Sequence, residues 1–245
     1  MINMKSATKY TLLTISLAIL SACGGGENDD NNINPSPAEG FWRGSTSTGY
    51  NTAIVVLENG EIWGIYTSGE TVNGALYGTS SVKGNIFSAA GYDFNLTQWA
   101  VFQSTLEGVV VPQSTIRVTS KNGTTANLNY YQGYNTPATQ AAIAGSYTVK
   151  AISAKGRADN VTMTISNTGV LSLPGVGCSA DGKVTPRASG KNVYDITVRF
   201  TGNSCALGNG STASGIFILD GTTAVSLALI PSKQDGFIGF GIKNS

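Results

Sequence analysis

The sequence predicts an all-β protein: two small antiparallel β-barrel or strongly curled sheet units after a flexible tether. Three observations carry that expectation. Charged residues make up only 12% of the 245-residue chain, and 31 glycines with many Ser, Thr and Asn take their place, whereas helix surfaces draw on Glu, Lys and Arg. Short apolar runs alternate with Asn-Gly and Gly-rich turn signals. Past the midpoint the pattern starts again, so that a second unit follows the first.

The first unit spans residues 41–134. It opens with "GFWRGSTSTGYNTAIVVLENGEIWGIYTS", in which apolar runs between Ala53 and Tyr66 flank Asn59-Gly60, a strong hairpin signal. "TVNGALYGTSSVKGNIFSAA" reads as short strands broken by glycines and bearing Leu76, Tyr77, Val82, Ile86 and Phe87. "AAGYDFNLTQWAVFQ" has weak periodicity and reads as an aromatic-rich long loop or short helix. "STLEGVVVPQSTIRVTS" and "TTANLNYYQGY" are strands joined at Lys121-Asn122-Gly123, with Pro112 marking an edge, bulge or strand end. Roughly eight short strands fit in this unit.

Residues 135–144 form the expected linker, with one helical turn in "ATQAAIA". The second unit, 145–245, begins "GSYTVKAISAKGRADNVTMTISNTGVLSLPG" and repeats the opening of the first: a Gly-aromatic strand, a polar loop, then two alternating strands about an Asn/Gly turn. Val161, Met163 and Ile165 face one way, with Thr162, Thr164 and Ser166 opposite. Later strand candidates are "GKVTPRAS", "NVYDITVRF", "SGIFILD", "TAVSLALIP" and "GFIGFGIK". One continuous sandwich is the rival arrangement.

Residues 1–22 read as a signal peptide, with Lys5 and Lys9 ahead of the apolar "TLLTISLAIL", a stretch too short for a membrane span. Leu20-Ser21-Ala22-Cys23 resembles the bacterial lipobox. That resemblance implies cleavage before Cys23, diacylglycerol on its thiol and a third acyl chain on the new amino group, several chains giving firm anchoring. Gly24 in the next position resembles outer-membrane sorting in a diderm bacterium. Residues 23–40, "CGGGENDDNNINPSPAEG", form the lipidated tether, stiffened near its end by Pro35 and Pro37. With Cys23 so used, Cys178 and Cys205 remain as a disulfide pair in an oxidising compartment.

The chain has no histidine, which excludes Ser-His-Asp and Cys-His nucleophile systems and His-ligated metal built from its own residues. No paired Asp/Glu constellation nominates an enzyme, and no cofactor or metal is expected. The formal charge of +1 becomes −1 once Lys5 and Lys9 leave with the leader, and nothing attracts nucleic acid. Trp42 and Trp63 sit in strand patterns and read as core. Trp99, near Tyr92 and Phe94, either plugs a barrel or faces a partner. Residues 145–245 hold nine basic and five acidic side chains. Lys155, Arg157, Lys183, Arg187 and Lys191 among them form a weakly basic face for an anionic surface or glycan, or merely solvate loops.

Lipobox, poly-Gly start, length and β architecture together resemble bacterial surface lipoproteins built from two β-barrel units. The complement-regulator-binding lipoproteins of pathogenic Neisseria and the transferrin-receptor lipoproteins are the nearest in architecture. The resemblance implies a lipid-anchored outer-membrane protein and carries over no ligand. The residues themselves are read as those of a non-enzymatic protein that binds a protein or glycan through its β-unit loops, with Trp99, Tyr92, Phe94, Lys155 and Arg157 as the candidate contacts. The alternatives are an accessory lipoprotein of an envelope assembly and a small-ligand carrier, the latter requiring a barrel interior not filled by Trp42, Trp63 and their neighbours.

Overall fold

The structure, a computed structural model, describes residues 36–244. The expected signal peptide, Cys23 and most of the tether lie outside the described residues. Two closed eight-stranded antiparallel barrels follow each other along the chain.

The first barrel runs β1 (Gly40–Thr46), β2 (Asn51–Val56), β3 (Glu61–Ser68), β4 (Thr71–Lys83), β5 (Ile86–Asn95), β6 (Ala100–Val111), β7 (Thr115–Ser120) and β8 (Thr125–Tyr130). Consecutive strands pair, and β1 closes on β8 with Trp42 opposite Tyr130. Closure leaves no free sheet edge to be protected. Alternation sends Trp42, Ile54, Val56, Ile62, Phe87, Val110, Ile116 and Leu128 inward to one cluster. Trp42 is wholly buried and its indole N–H donates to the Ala38 carbonyl at 2.9 Å. This interior is filled by side chains.

Ser36 to Glu39, assigned to the tether by their polarity, are docked on this barrel. Ala38 is fully buried, the Ser36 amide donates to the Glu58 carbonyl at 3.3 Å, and the Tyr134 hydroxyl donates to Glu39 at 3.0 Å. Two other expectations change. β4 runs unbroken for 13 residues through Gly74 and Gly78. Gly78 faces Gly91 of β5, and a Cβ on Gly91 would stand 2.0 Å from the Tyr77 carbonyl oxygen, so glycine here permits close strand approach rather than a break. The Trp99 stretch is no long loop: β5 and β6 are a hairpin paired as far as Asn95 and Ala100, closed by a tight turn in which Trp99 has φ 51°.

Between the barrels lie a 3-10 turn (Gln132–Asn135) and a one-turn helix, α1 (Gln140–Ile143), whose Ala142 amide is capped by the Thr139 hydroxyl at 3.2 Å. The second barrel then runs β9 (Gly145–Ser153), β10 (Gly156–Ile165), β11 (Val170–Leu173), β12 (Ser179–Pro186), β13 (Tyr194–Thr201), β14 (Thr212–Asp220), β15 (Thr223–Leu229) and β16 (Gly236–Lys243). It closes through β16 on β9. Tyr147, Met163, Leu171, Val184, Tyr194 and Phe217 fill its interior, with Ile143 packed among them. The Tyr147 hydroxyl donates to the Ile143 carbonyl at 2.5 Å. The Tyr194 hydroxyl donates to the Thr139 carbonyl at 3.1 Å and accepts from the Thr139 amide at 3.2 Å. The connecting segment thus seals one end of the second barrel.

Outward side chains of β1–β4 meet outward side chains of β14–β16 in one apolar layer, Val55, Trp63 and Ile65 against Ile216, Leu227 and Ile238. Strands buried on both faces read as continuous apolar runs, which accounts for "AIVV" and "IFIL". Trp63 is buried as expected of a core residue, but in this layer rather than inside a barrel. Polar clamps flank the layer: Arg187 holds Glu58, and Arg43 holds Asp220.

Candidate binding cleft at the disulfide end of the second barrel

Up-and-down topology sorts the turns of each barrel to two ends. In the second barrel the β9–β10, β11–β12, β13–β14 and β15–β16 connections share the end opposite α1. The first barrel lies beside it in matching sense. Leu96 and Ala100, which flank the Trp99 turn, border the same small cavity as Ser153, Ala154 and Asp235. At the other end Ser36 meets Glu58, and Glu58 meets Arg187 of the β12–β13 turn.

A cleft of about 710 Å³ opens at the disulfide end, between Gly156–Thr162 on one side and Leu173–Ala180 on the other. Strand length creates it. β10 has ten residues and β11 four, so only Thr164 and Ile165 of β10 pair across to β11. The rest of β10 is paired with β9 alone, through a bulge between Ala158 and Val161 in which Asn160 has φ 55°. The barrel is therefore split at this seam for part of its height. Buried Leu173, Ala180, Phe200 and Phe237 form the apolar floor.

The rim is polar and partly stapled. Arg157 pairs with Asp159 at 2.7 Å and Lys155 with Asp235 at 3.4 Å. Across from them, Val176 is fully exposed at the tip of the β11–β12 loop. That loop is tied down by the Cys178–Cys205 disulfide, Cα atoms 4.8 Å apart, and by the Ser204 amide donating to the Gly177 carbonyl at 3.0 Å. A cross-link between cysteines 27 residues apart stabilises by about 3–4 kcal/mol on the chain-entropy estimate.

The expected contact residues fall unevenly on this end. Trp99 is 53% exposed at its turn. Tyr92 is half-buried on β5. Phe94 is buried, packed in the layer between the barrels, and is not open to a partner, because the second barrel covers the outer face of β5 where Phe94 lies. Lys155 and Arg157 border the cleft, each with its charge held by an aspartate. Sequence reasoning missed Val176 and the unpaired part of β10. The mismatch between "GRADNVTMTI" and the short "VLSL" was the available signal. Among the described residues no three His, Cys, Asp or Glu side chains converge as a metal site.

At the same end of the first barrel the Tyr66 hydroxyl donates to Asp93 at 2.8 Å. Burial pushes the Asp93 carboxyl above its ordinary range, and the Tyr66 bond only partly offsets this. Burial, then the adjoining carboxylate, pushes the Tyr66 phenol up as well. The pair is a neutral-favouring hydrogen bond at the rim of a filled barrel.

No family model matches the chain, and no curated protein matches it. Among solved structures it is similar to one from Bacteroides fragilis NCTC 9343, provisionally described as an outer membrane protein, with 14% identity over 84% of this chain and 96% of that one and a TM-score of 0.24, a score at which the likeness decides neither fold nor function.

Proposed function

We propose that this is a lipid-anchored protein of the bacterial outer membrane that holds a protein or glycan partner at the disulfide end of its second barrel and catalyses no reaction. One observation carries the reading. The cleft, the stapled Val176 loop and the Trp99 turn all lie at the end opposite Ser36, where the chain arrives from Cys23. A lipid on Cys23 puts the Ser36 end toward the membrane, and the 12 residues from Gly24 to Pro35 reach at most about 40 Å when extended. The cleft then points away from the bilayer. An apolar floor with a polar rim and a rigid exposed loop is the arrangement of a partner-binding patch.

The test has two arms. Cells expressing the protein are fed labelled palmitate and then treated with protease while intact. Label on wild type but not on Cys23→Ser, with release of the folded part from unbroken cells, supports the reading. Unlabelled wild type removes the anchor, and protection from protease favours an accessory role on the periplasmic side. Partner recovery is then compared between the unlipidated Cys23→Ser chain and the same chain carrying Val176→Asp or Trp99→Ala. Equal recovery by all three argues against this end as the contact.

A further inference from the structure

The apolar layer between the barrels is interrupted. A cavity of about 370 Å³ opens beside Trp63, walled by Val55 and Ile65 of the first barrel and Ile218 and Val225 of the second. That volume falls within the range of small-molecule pockets, which are apolar with a few placed polar groups. One lining residue supplies such a group. The Trp63 indole N–H has no hydrogen-bond partner among the described residues, although Trp63 is only 3% exposed. Buried donors are nearly always paired, and an orphan one is a standing cost that an acceptor relieves.

The mouth selects against charge. Arg43 is the cation there, and its guanidinium is already bonded to Asp220. It also lies over the rings of Tyr131 and Phe41, 3.9 Å and 4.6 Å from their centroids. Its charge is satisfied, so the site does not call for an anion.

We propose that this cavity between the barrels binds a small, neutral, mostly apolar molecule whose single acceptor oxygen receives the Trp63 indole N–H. Both barrel interiors are filled near it by their own cores, so the seam between the barrels, and not a barrel lumen, is the small-ligand compartment. This site is independent of the partner cleft, and either can stand without the other.

Two isosteric probes test it: 2-acetylnaphthalene, which carries a carbonyl, and 2-isopropenylnaphthalene, in which a CH2 group replaces the oxygen. They are titrated into the ¹⁵N-labelled unlipidated chain (residues 23–245 with Cys23→Ser), following the three tryptophan indole N–H signals assigned through their own backbone resonances. The ketone is expected to bind about 2–10-fold more tightly, the range of one net hydrogen bond, and to move the Trp63 signal while Trp99 stays still. In Trp63→Phe the hydrocarbon still binds and the ketone preference disappears. Ala53→Leu, which narrows the cavity from its wall, weakens both probes. Should Trp63→Phe not fold, the Trp63 signal in the parent chain and Ala53→Leu decide the matter. Absence of binding by either probe, a ketone preference that survives Trp63→Phe, or binding untouched by Ala53→Leu would overturn the proposal.

Discussion

Arg187, on the turn between β12 and β13, grips Glu58 on the turn between β2 and β3, its Nε 2.8 Å and 3.2 Å from the two carboxylate oxygens. The two side chains are 18% and 19% exposed, so the pair is largely shielded from water, and Asp195 takes the remaining side of the guanidinium. Carboxylate pairing of this forked kind adds orientation as well as energy. We expect Arg187→Met to destabilise the unlipidated chain by about 1–3 kcal/mol and Glu58→Gln by less, because Asp195 still balances the arginine. Denaturant melts of the two single variants and the double variant measure this; strict additivity would show that the contact does not couple the barrels.

Removing the disulfide with Cys178→Ser and Cys205→Ser together is expected to cost about 2–5 kcal/mol. The effect should be confined to one end. Hydrogen exchange is expected to rise in residues 174–178 and 202–211 and to stay unchanged at Tyr147 and Tyr194, which α1 seals from the other side. Uniform loosening of the second barrel would contradict this.

Gly91→Ala is expected to destabilise by about 1–3 kcal/mol, the usual range for overpacking, although it adds one methyl. The new Cβ would lie 2.0 Å from the Tyr77 carbonyl oxygen and 2.5 Å from the Gly78 Cα, which forces β4 from β5. Gly49→Ala is the informative control for space: its Cβ would meet nothing within 4 Å, yet φ there is 85°, so its cost measures backbone strain alone. Thermal melts of both, with wild type, separate the two causes.

Two carboxyls respond to pH in opposite senses. At Asp220 burial alone would raise the pKa, but the hydrogen bonds from Tyr131 and Arg43 outweigh it and hold the group below its ordinary value. Its contribution to stability is therefore complete above about pH 4 and is lost as pH falls through the lowered folded value. Asp220→Asn should be less stable than wild type at pH 6, with the gap closing below pH 4. Asp93, raised by burial, is penalised when ionised, so Asp93→Asn should match or exceed wild type at pH 7. That advantage should vanish as pH falls and wild-type Asp93 takes up its proton. Melting curves across pH 3–7 check both; parallel pH profiles for either variant and wild type would refute the assignment.

Legibility in the sequence followed the range of the interactions. The hairpin at Asn59-Gly60 was readable because its determinants are local: Gly60 has φ 82°, and the Asn59 side chain accepts the Glu61 amide at 3.0 Å. The breaks expected at Gly74 and Gly78 did not occur, because those glycines make room for the Tyr66 ring of β3 and the backbone of β5, approaches that appear only once the strands pair. Ala38 looked like tether because its polar neighbours gave no sign that its carbonyl accepts the Trp42 indole N–H. Of the candidate contacts, Trp99 was expected on a long loop or short helix and stands instead at a tight hairpin turn, because β5 and β6 pair as far as Asn95 and Ala100. Phe94 was misjudged, since only the second barrel's packing on β5 buries it.

The amino-acid sequence alone determined the all-β class, the two strand-rich units and the pairing of Cys178 with Cys205. Turn chemistry, side-chain alternation and the number of cysteines act over short distances or by simple count, so they can be read residue by residue. Tertiary structure decided that each unit closes into a barrel, that Trp63 is buried between barrels rather than within one, and that β10 outruns β11 to open a cleft. Each of those outcomes depends on which residues meet across large sequence separations, as Trp63 meets Leu227 and Glu58 meets Arg187. Apolar alternation marks a strand's buried face, but only the assembled barrels supply the surface that buries it.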